Sequence, residues 1–225
     1  MIPIRDQIPT RRVPYVNYIL IAANIFVFIL QWLAGDNQDA LVYQFALIPA
    51  SFLKDFNLGN IFKIFTSMFM HAGLVHLGGN MLYLWIFGDN VEDSLGHGRY
   101  LLFYLLGGLI ASLAHVFTNS SSQIPTVGAS GAIAAVLGAY LVLYPQSKVL
   151  TIIPLGFFLR MTMVPASIVL GLWFILQLFS GLLSAGGPDD VGGVAFFAHI
   201  GGFVAGFILA KIFSKKRYKE AMVRW

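Results

Sequence analysis

The sequence predicts an all-α membrane protein, a bundle of six transmembrane helices with no separate soluble domain. Three observations predict it. Hydrophobic residues make up 58% of the 225-residue chain. Charged residues make up only 11%, about half the share of a soluble domain. Uncharged runs recur at lengths that suit a bilayer span of about 20 helical residues, and the basic residues flank those runs.

The first span covers residues 13–35. Its flank is basic, but no small-x-small cleavage site follows, so a retained helix is expected rather than a cleaved signal peptide. The connection over residues 36–63 is rich in Leu, Phe, Ala and Ile and reads as a hairpin lying in the membrane interface. The second span covers residues 64–88, with polar groups in its first half. Residues 100–147 carry no charge, but "TNSSSQIPT" at 118–126 divides them into a third and a fourth span. Residues 161–188 and 191–210 complete the six. The layout is then a tail over 1–12, a six-helix domain over 13–213 and a basic tail over 214–225.

Charge placement sets the orientation. With six spans, both termini share a side with the second and fourth connections. That side holds Arg5, Arg11, Arg12, Lys211, Lys215, Lys216, Arg217, Lys219 and Arg224, together with Arg99, Lys148 and Arg160. Only Lys54 and Lys63, of 14 basic residues, fall on the other. Cytoplasmic loops attract Lys and Arg, so both termini are expected in the cytoplasm. The pI of about 9.4 therefore reflects topology, and nucleic acid is not an expected partner. The chain has no cysteine, which excludes disulfides and thiol chemistry.

Orientation places the unusual polar residues in depth. The fourth helix should run inward from Pro125, putting Ser130 about 8 Å down at 1.5 Å per residue. The sixth should run inward from Asp190, putting His199 about 13 Å down. The second carries His71, His76 and Asn80 in its outer half. His76 and Asn80, four apart, share a helical face. Ser130, Ala134 and Gly138 form one small stripe, and His199, Gly202 and Gly206 another. Such stripes let membrane helices approach closely. If the two face each other, Ser130 and His199 come within hydrogen-bond reach, the nucleophile–base arrangement of acyl transfer. His76, Asn80 and the Ser130 amide then point at the developing oxyanion.

Bland readings compete residue by residue. A serine among glycines in a membrane helix is usually a packing residue, a lone histidine is usually a satisfied core residue, and Asn80 alone can simply bond a neighbouring helix. His71, five residues before His76, should face elsewhere and tie the helix top to a loop. His115 is expected at the interface and His97 in a cytoplasmic turn. All ten acidic residues are expected in loops or tails, which leaves no aspartyl pair. No acid remains to orient His199, hence a dyad rather than a triad. No H-E-x-x-H zinc signature occurs, and no metal or cofactor is expected.

At these residues the sequence resembles the rhomboid family of intramembrane serine proteases. The matches are "HLGGN" (His76, Asn80), "GASG" (Gly128 to Gly131) and "AHIGGFVAG" (Ala198 to Gly206), in the family's order. "EDSLG" matches its E-x-x-x-G at Glu92 and Gly96. The resemblance implies Ser130 as nucleophile, His199 as base, and His76, Asn80 and the Ser130 amide as oxyanion hole. It also implies Gly128, Ala129 and Gly131 as site lining, and structural roles for Glu92 and Gly96. Where the family often has Trp-Arg in the first outer loop, this chain has Phe62-Lys63. The implied substrates are transmembrane segments of other proteins, in the inner (plasma) membrane of a bacterium. Such a segment must unwind for cleavage. "NSSSQ" and "SAGGPDDVGG" are flexible covers suited to a water-filled opening, and the fifth helix, bulky at Trp173, Phe174, Leu176 and Phe179, suits a lateral gate. Two alternatives remain: an inactive rhomboid-like binder of membrane proteins, and a small transporter that uses His71, His76, His115 and His199 as ligands.

Overall fold

The computed structural model describes residues 1–156, 158–184 and 195–214. In chain order a strand β1 (Ile2–Asp6) precedes helix α1 (Tyr15–Leu33), and a single 3-10 turn leads to α2 (Gln38–Phe45), α3 (Pro49–Lys54) and α4 (Leu58–Ser67). Helices α5 (Leu74–Leu95), α6 (His97–Thr118) and α7 (Ser130–Leu143) follow. A hairpin of β2 (Lys148–Leu155) and β3 (Phe158–Pro165) then leads into α8 (Ala166–Ser184), and α9 (Phe196–Phe213) is the last helix described. The molecule is mostly helical. Among the described residues, four helices are long and apolar enough to cross a membrane: Tyr15–Leu33, His97–Thr118, Ala166–Leu183 and Phe196–Phe213.

Helix α7 is the centre of the bundle. Every residue from Gly131 to Tyr140 is buried, because α5, α6 and α9 surround it. A helix apolar on all sides belongs inside, whereas α1 and α8 each leave a broad apolar face outside. At 14 residues α7 is about 21 Å long, shorter than a bilayer core of about 30 Å. It starts at Ser130 rather than near Pro125, and the chain before it is irregular. That segment is held by Leu47, whose N–H and C=O exchange hydrogen bonds of 3.2 and 2.7 Å with Thr126.

Four expectations are corrected. The second span does not run unbroken over 64–88; it breaks between α4 and α5 over residues 68–73. The amide of Gln31 on α1 accepts from the His71 N–H (3.0 Å) and donates to its C=O (3.2 Å), so this turn satisfies its backbone without a helix. The fifth helix begins at Ala166, not residue 161, because residues 148–165 form the antiparallel hairpin. Pro165 explains the boundary: inside a helix its ring would clash with the preceding turn. With β1 alongside β2, this hairpin completes a three-stranded sheet that an all-α reading does not contain. Finally, Asp89, Glu92 and Asp93 belong to the last turns of α5, not to a loop.

Glu92 has a physical reason to be there. Its buried carboxylate accepts from the N–H groups of Val16 (3.0 Å) and Asn17 (2.7 Å), the free donors at the start of α1. His97 Nδ1, at the first residue of α6, lies 2.5 Å from Oε1, the oxygen that also accepts from Val16, which gives that histidine a partner. Gly96, at φ 85°, makes the sharp passage from α5 to α6. The "GGPDD" turn, the "SAGGPDDVGG" cover after Ser184, and the basic tail from residue 215 lie outside the described residues.

Candidate active site

The first turns of α7 and α9 meet. The closest approach is through glycine: a Cβ at Gly202 would run into the carbonyl oxygen of Gly131, and one at Gly206 into that of Ala135. From the other side, a Cβ at Gly138 would strike the Phe203 carbonyl, while Ala134 is buried beside it. At this separation Ser130, the first residue of α7, places Oγ 2.7 Å from His199 Nε2.

The starting position of Ser130 has an electrostatic consequence. The N–H groups of the first turn of a helix lack intrahelical partners and form the positive end of its dipole. For α7 that end opens beside the Ser130 hydroxyl. Gly128, two residues earlier, has φ 128°, a conformation that L side chains rarely adopt, and a Cβ there would lie 2.8 Å from His76 Cε1. The chain therefore passes flat under the His76 ring only because residue 128 is glycine. Its N–H donates to Ser67 O at 2.9 Å, and Ala129 is fully buried behind it.

A cavity of about 270 Å³ is lined by His76, Asn80, Tyr83, Ser130, Trp173 and His199. A second space of about 20 Å³, bordered by Ser67, Ser112, Thr126 and Ser130, lies behind the serine and has room for about one water. A nucleophilic hydroxyl, an imidazole and a set of N–H donors around one hollow can carry out acyl transfer.

A family model for the rhomboid domain matches residues 58–216, which takes in every one of these groups. The chain belongs to the rhomboid family. It is 32% identical over 200 residues to the rhomboid protease GluP of Bacillus subtilis, covering 88% of this chain and 34% of that protein. Against mitochondrial Rhomboid protein 1 of Saccharomyces cerevisiae it is 28% identical over 218 residues, 92% of this chain and 58% of that one. RHOMBOID-like protein 1 of Arabidopsis thaliana is 33% identical over 153 residues, 68% of this chain and 34% of the plant protein. The rhomboid chain thus spans 34% to 58% of the length of these curated relatives.

Other residues of this rhomboid's site depart from the sequence reading. His71, in the turn rather than on α5, does not face away: its Nε2 lies 3.0 Å from Asn80 Nδ2, and its ring meets that of His76 edge-on at 5.1 Å. It therefore holds one Asn80 N–H and leaves the other for the cavity. His115 bonds Asn119 at the end of α6. Among the described residues, no three of His, Asp and Glu come together as a metal ligand set, so the four histidines do not form one. Two partners were missed. Gln31 fixes the His71 backbone from α1, and Gln177 on α8 places Oε1 2.6 Å from His199 Nδ1. The signal for Gln177 is a lone amide in an apolar span, and for Gln31 the seven-residue spacing of Asn17, Asn24 and Gln31 along one face of α1.

Proposed function

We propose that the chain is an intramembrane serine endopeptidase that cuts transmembrane segments near the outer face of the bilayer. The observation that carries this reading is the 2.7 Å approach of Ser130 Oγ to His199 Nε2 beside the cavity lined by His76 and Asn80. A packing serine has no need of an imidazole partner from a helix 69 residues away.

In this reading Ser130 Oγ attacks the carbonyl carbon of the scissile bond as its proton passes to His199 Nε2. The negative oxygen takes hydrogen bonds from the Ser130 amide, Asn80 and His76, each contributing about 3–4 kcal/mol. The C–N bond then breaks, the imidazolium returns its proton to the leaving amine, and an acyl-Ser130 ester remains. Water, deprotonated by His199, hydrolyses the ester and restores the hydroxyl. The small space behind Ser130 suits a store for that water.

The same reading sets this chemistry in a six-span bundle, with α5 and α7 as the second and fourth spans and both termini in the cytoplasm, in a bacterial inner membrane. The family domain is the whole of residues 13–213. Helix α8 serves as the lateral gate for substrate: it touches the central α7 far less than α9 does and presents Leu176, Phe179, Leu182 and Leu183 outward. A crosslink between α5 and α8 should slow cleavage of membrane substrates.

A fluorophosphonate probe on the full chain in liposomes tests the proposal. Wild type should be labelled at Ser130 and should cleave a single-span reporter, with Ser130→Ala and His199→Ala losing both. Labelling that persists in Ser130→Ala rejects it, and an unlabelled wild type points to an inactive binder.

A further inference from the structure

Helix α8 is apolar along its outward face, with Ile168, Leu172, Ile175, Leu176 and Phe179 exposed. Gln177 is its only amide side chain, and such a group in a membrane-spanning helix is costly unless it is bonded. Its partner is His199. Gln177 Oε1 lies 2.6 Å from Nδ1, while Nε2 of the same ring lies 2.7 Å from Ser130 Oγ. Trp173, one helical turn before Gln177, stands against the ring with centroids 5.9 Å apart.

A neutral imidazole carries one N–H. With the amide oxygen turned to Nδ1, as here, the ring pairs with it through a proton on Nδ1, which leaves Nε2 as a bare acceptor facing the Ser130 hydroxyl. The opposite tautomer would turn an N–H toward Ser130, and no proton could be taken from it. We propose that Gln177 is a positioning residue of the site, holding His199 in the tautomer whose Nε2 accepts the Ser130 proton. When His199 takes that proton, both ring nitrogens donate, and Gln177 Oε1 still accepts from Nδ1. The arrangement is a relay of Ser, His and a neutral amide, and it ties the base to α8. If α8 moves aside to admit substrate, the base loses its orienting acceptor until the helix returns. The inference rests on the dyad assigned above.

Among the described residues, the titratable groups near His199 are His76 on α5 and His115 on α6, with Tyr83 of α5 on the same cavity, so a pH profile is read against these neighbours. The experiment compares Gln177→Met, which keeps length but removes the acceptor, with Gln177→Glu, which keeps an acceptor and adds charge. The full chain in liposomes is labelled with fluorophosphonate across pH 5 to about 9, with melting temperatures as a check on folding. Gln177→Met should label at least about tenfold more slowly at an unchanged melting temperature, a part of the 10²–10⁴-fold that a positioned base contributes. Gln177→Glu should still label, with its half-maximal pH moved upward, because a carboxylate beside an imidazole favours the charged ring. Wild-type rate and profile in Gln177→Met, with Ser130→Ala and His199→Ala both unlabelled, overturns the role of Gln177 and leaves the dyad standing. Labelling that survives Ser130→Ala removes the dyad and this inference together. Where Gln177→Met does not fold, the Gln177→Glu profile decides alone, and an unshifted one overturns the proposal.

Discussion

Gly202 rests directly on the carbonyl of Gly131, the residue after Ser130, with no room for a side chain between them. The contact fixes how near α9 stands to α7, and so fixes the Ser130–His199 distance from two residues that take no part in the chemistry.

Gly202→Val should therefore damage the site through spacing. Overpacking a tight contact costs about 1–3 kcal/mol or more, and here the blocking atoms are backbone. The expected outcome is a lower melting temperature in detergent and a loss of Ser130 labelling greater than about tenfold, about 1.4 kcal/mol in the barrier. Ile208→Ala, on the exposed face of α9, should change neither. Normal labelling of Gly202→Val would show that the spacing is set elsewhere.

Gly128→Ala should separate fold from function. The substitution forces a φ of 128° on an L residue and drives a methyl against the His76 ring. Backbone strain of this kind costs about 1–3 kcal/mol. Labelling and cleavage should both fall sharply, while the helical circular dichroism signal persists.

His71→Phe should act through Asn80. The ring keeps its volume but loses the nitrogen 3.0 Å from Asn80 Nδ2. With the amide free to rotate, kcat should fall by about tenfold, less than the 10²–10³ of losing an oxyanion donor outright, with KM little changed. Equal losses in Asn80→Ala and in the double variant would place both residues on one route.

Asp6 should make the attachment of β1 sensitive to pH. Its carboxylate accepts from Tyr140 OH (2.5 Å) and Asn90 Nδ2 (2.9 Å), and the same Asn90 nitrogen reaches Asp89 at 3.0 Å. Burial pushes the Asp6 carboxyl up to about 6, with the Tyr140 hydrogen bond opposing it. The folded state thus prefers the protonated form. That preference stabilises fully below the unfolded value near 4 and is lost as pH rises through about 6. Melting temperature should fall between pH 4 and 7 in wild type, and Asp6→Asn should flatten that part of the curve. An unchanged slope in Asp6→Asn would assign the dependence to other groups.

Much of the fold and site was legible in the sequence because those features are local. Apolar runs report on spans, and the i, i+3, i+7 spacing of His199, Gly202 and Gly206 reports on one helical face. The glycine contacts between α7 and α9 fall on those stripes. The break at residues 68–73 was not legible, because it depends on Gln31, 40 residues earlier, supplying the hydrogen bonds that a helix would otherwise make. The hairpin at 148–165 was hidden for a related reason. Its apolar content matches a span, and only pairing of Lys148 with Pro165 through Leu155 with Phe158 shows it as strands.

By itself, then, the amino-acid order determined the class of protein, the positions of most spans and which polar residues stand out in them, since periodicity and residue chemistry are carried within about 20 positions. Tertiary structure alone decided that α7 begins at Ser130, that His71 turns toward Asn80, and that Gln177 reaches His199. Those outcomes depend on buried polar groups finding partners in helices far apart along the chain, and no local pattern encodes which partner is near enough.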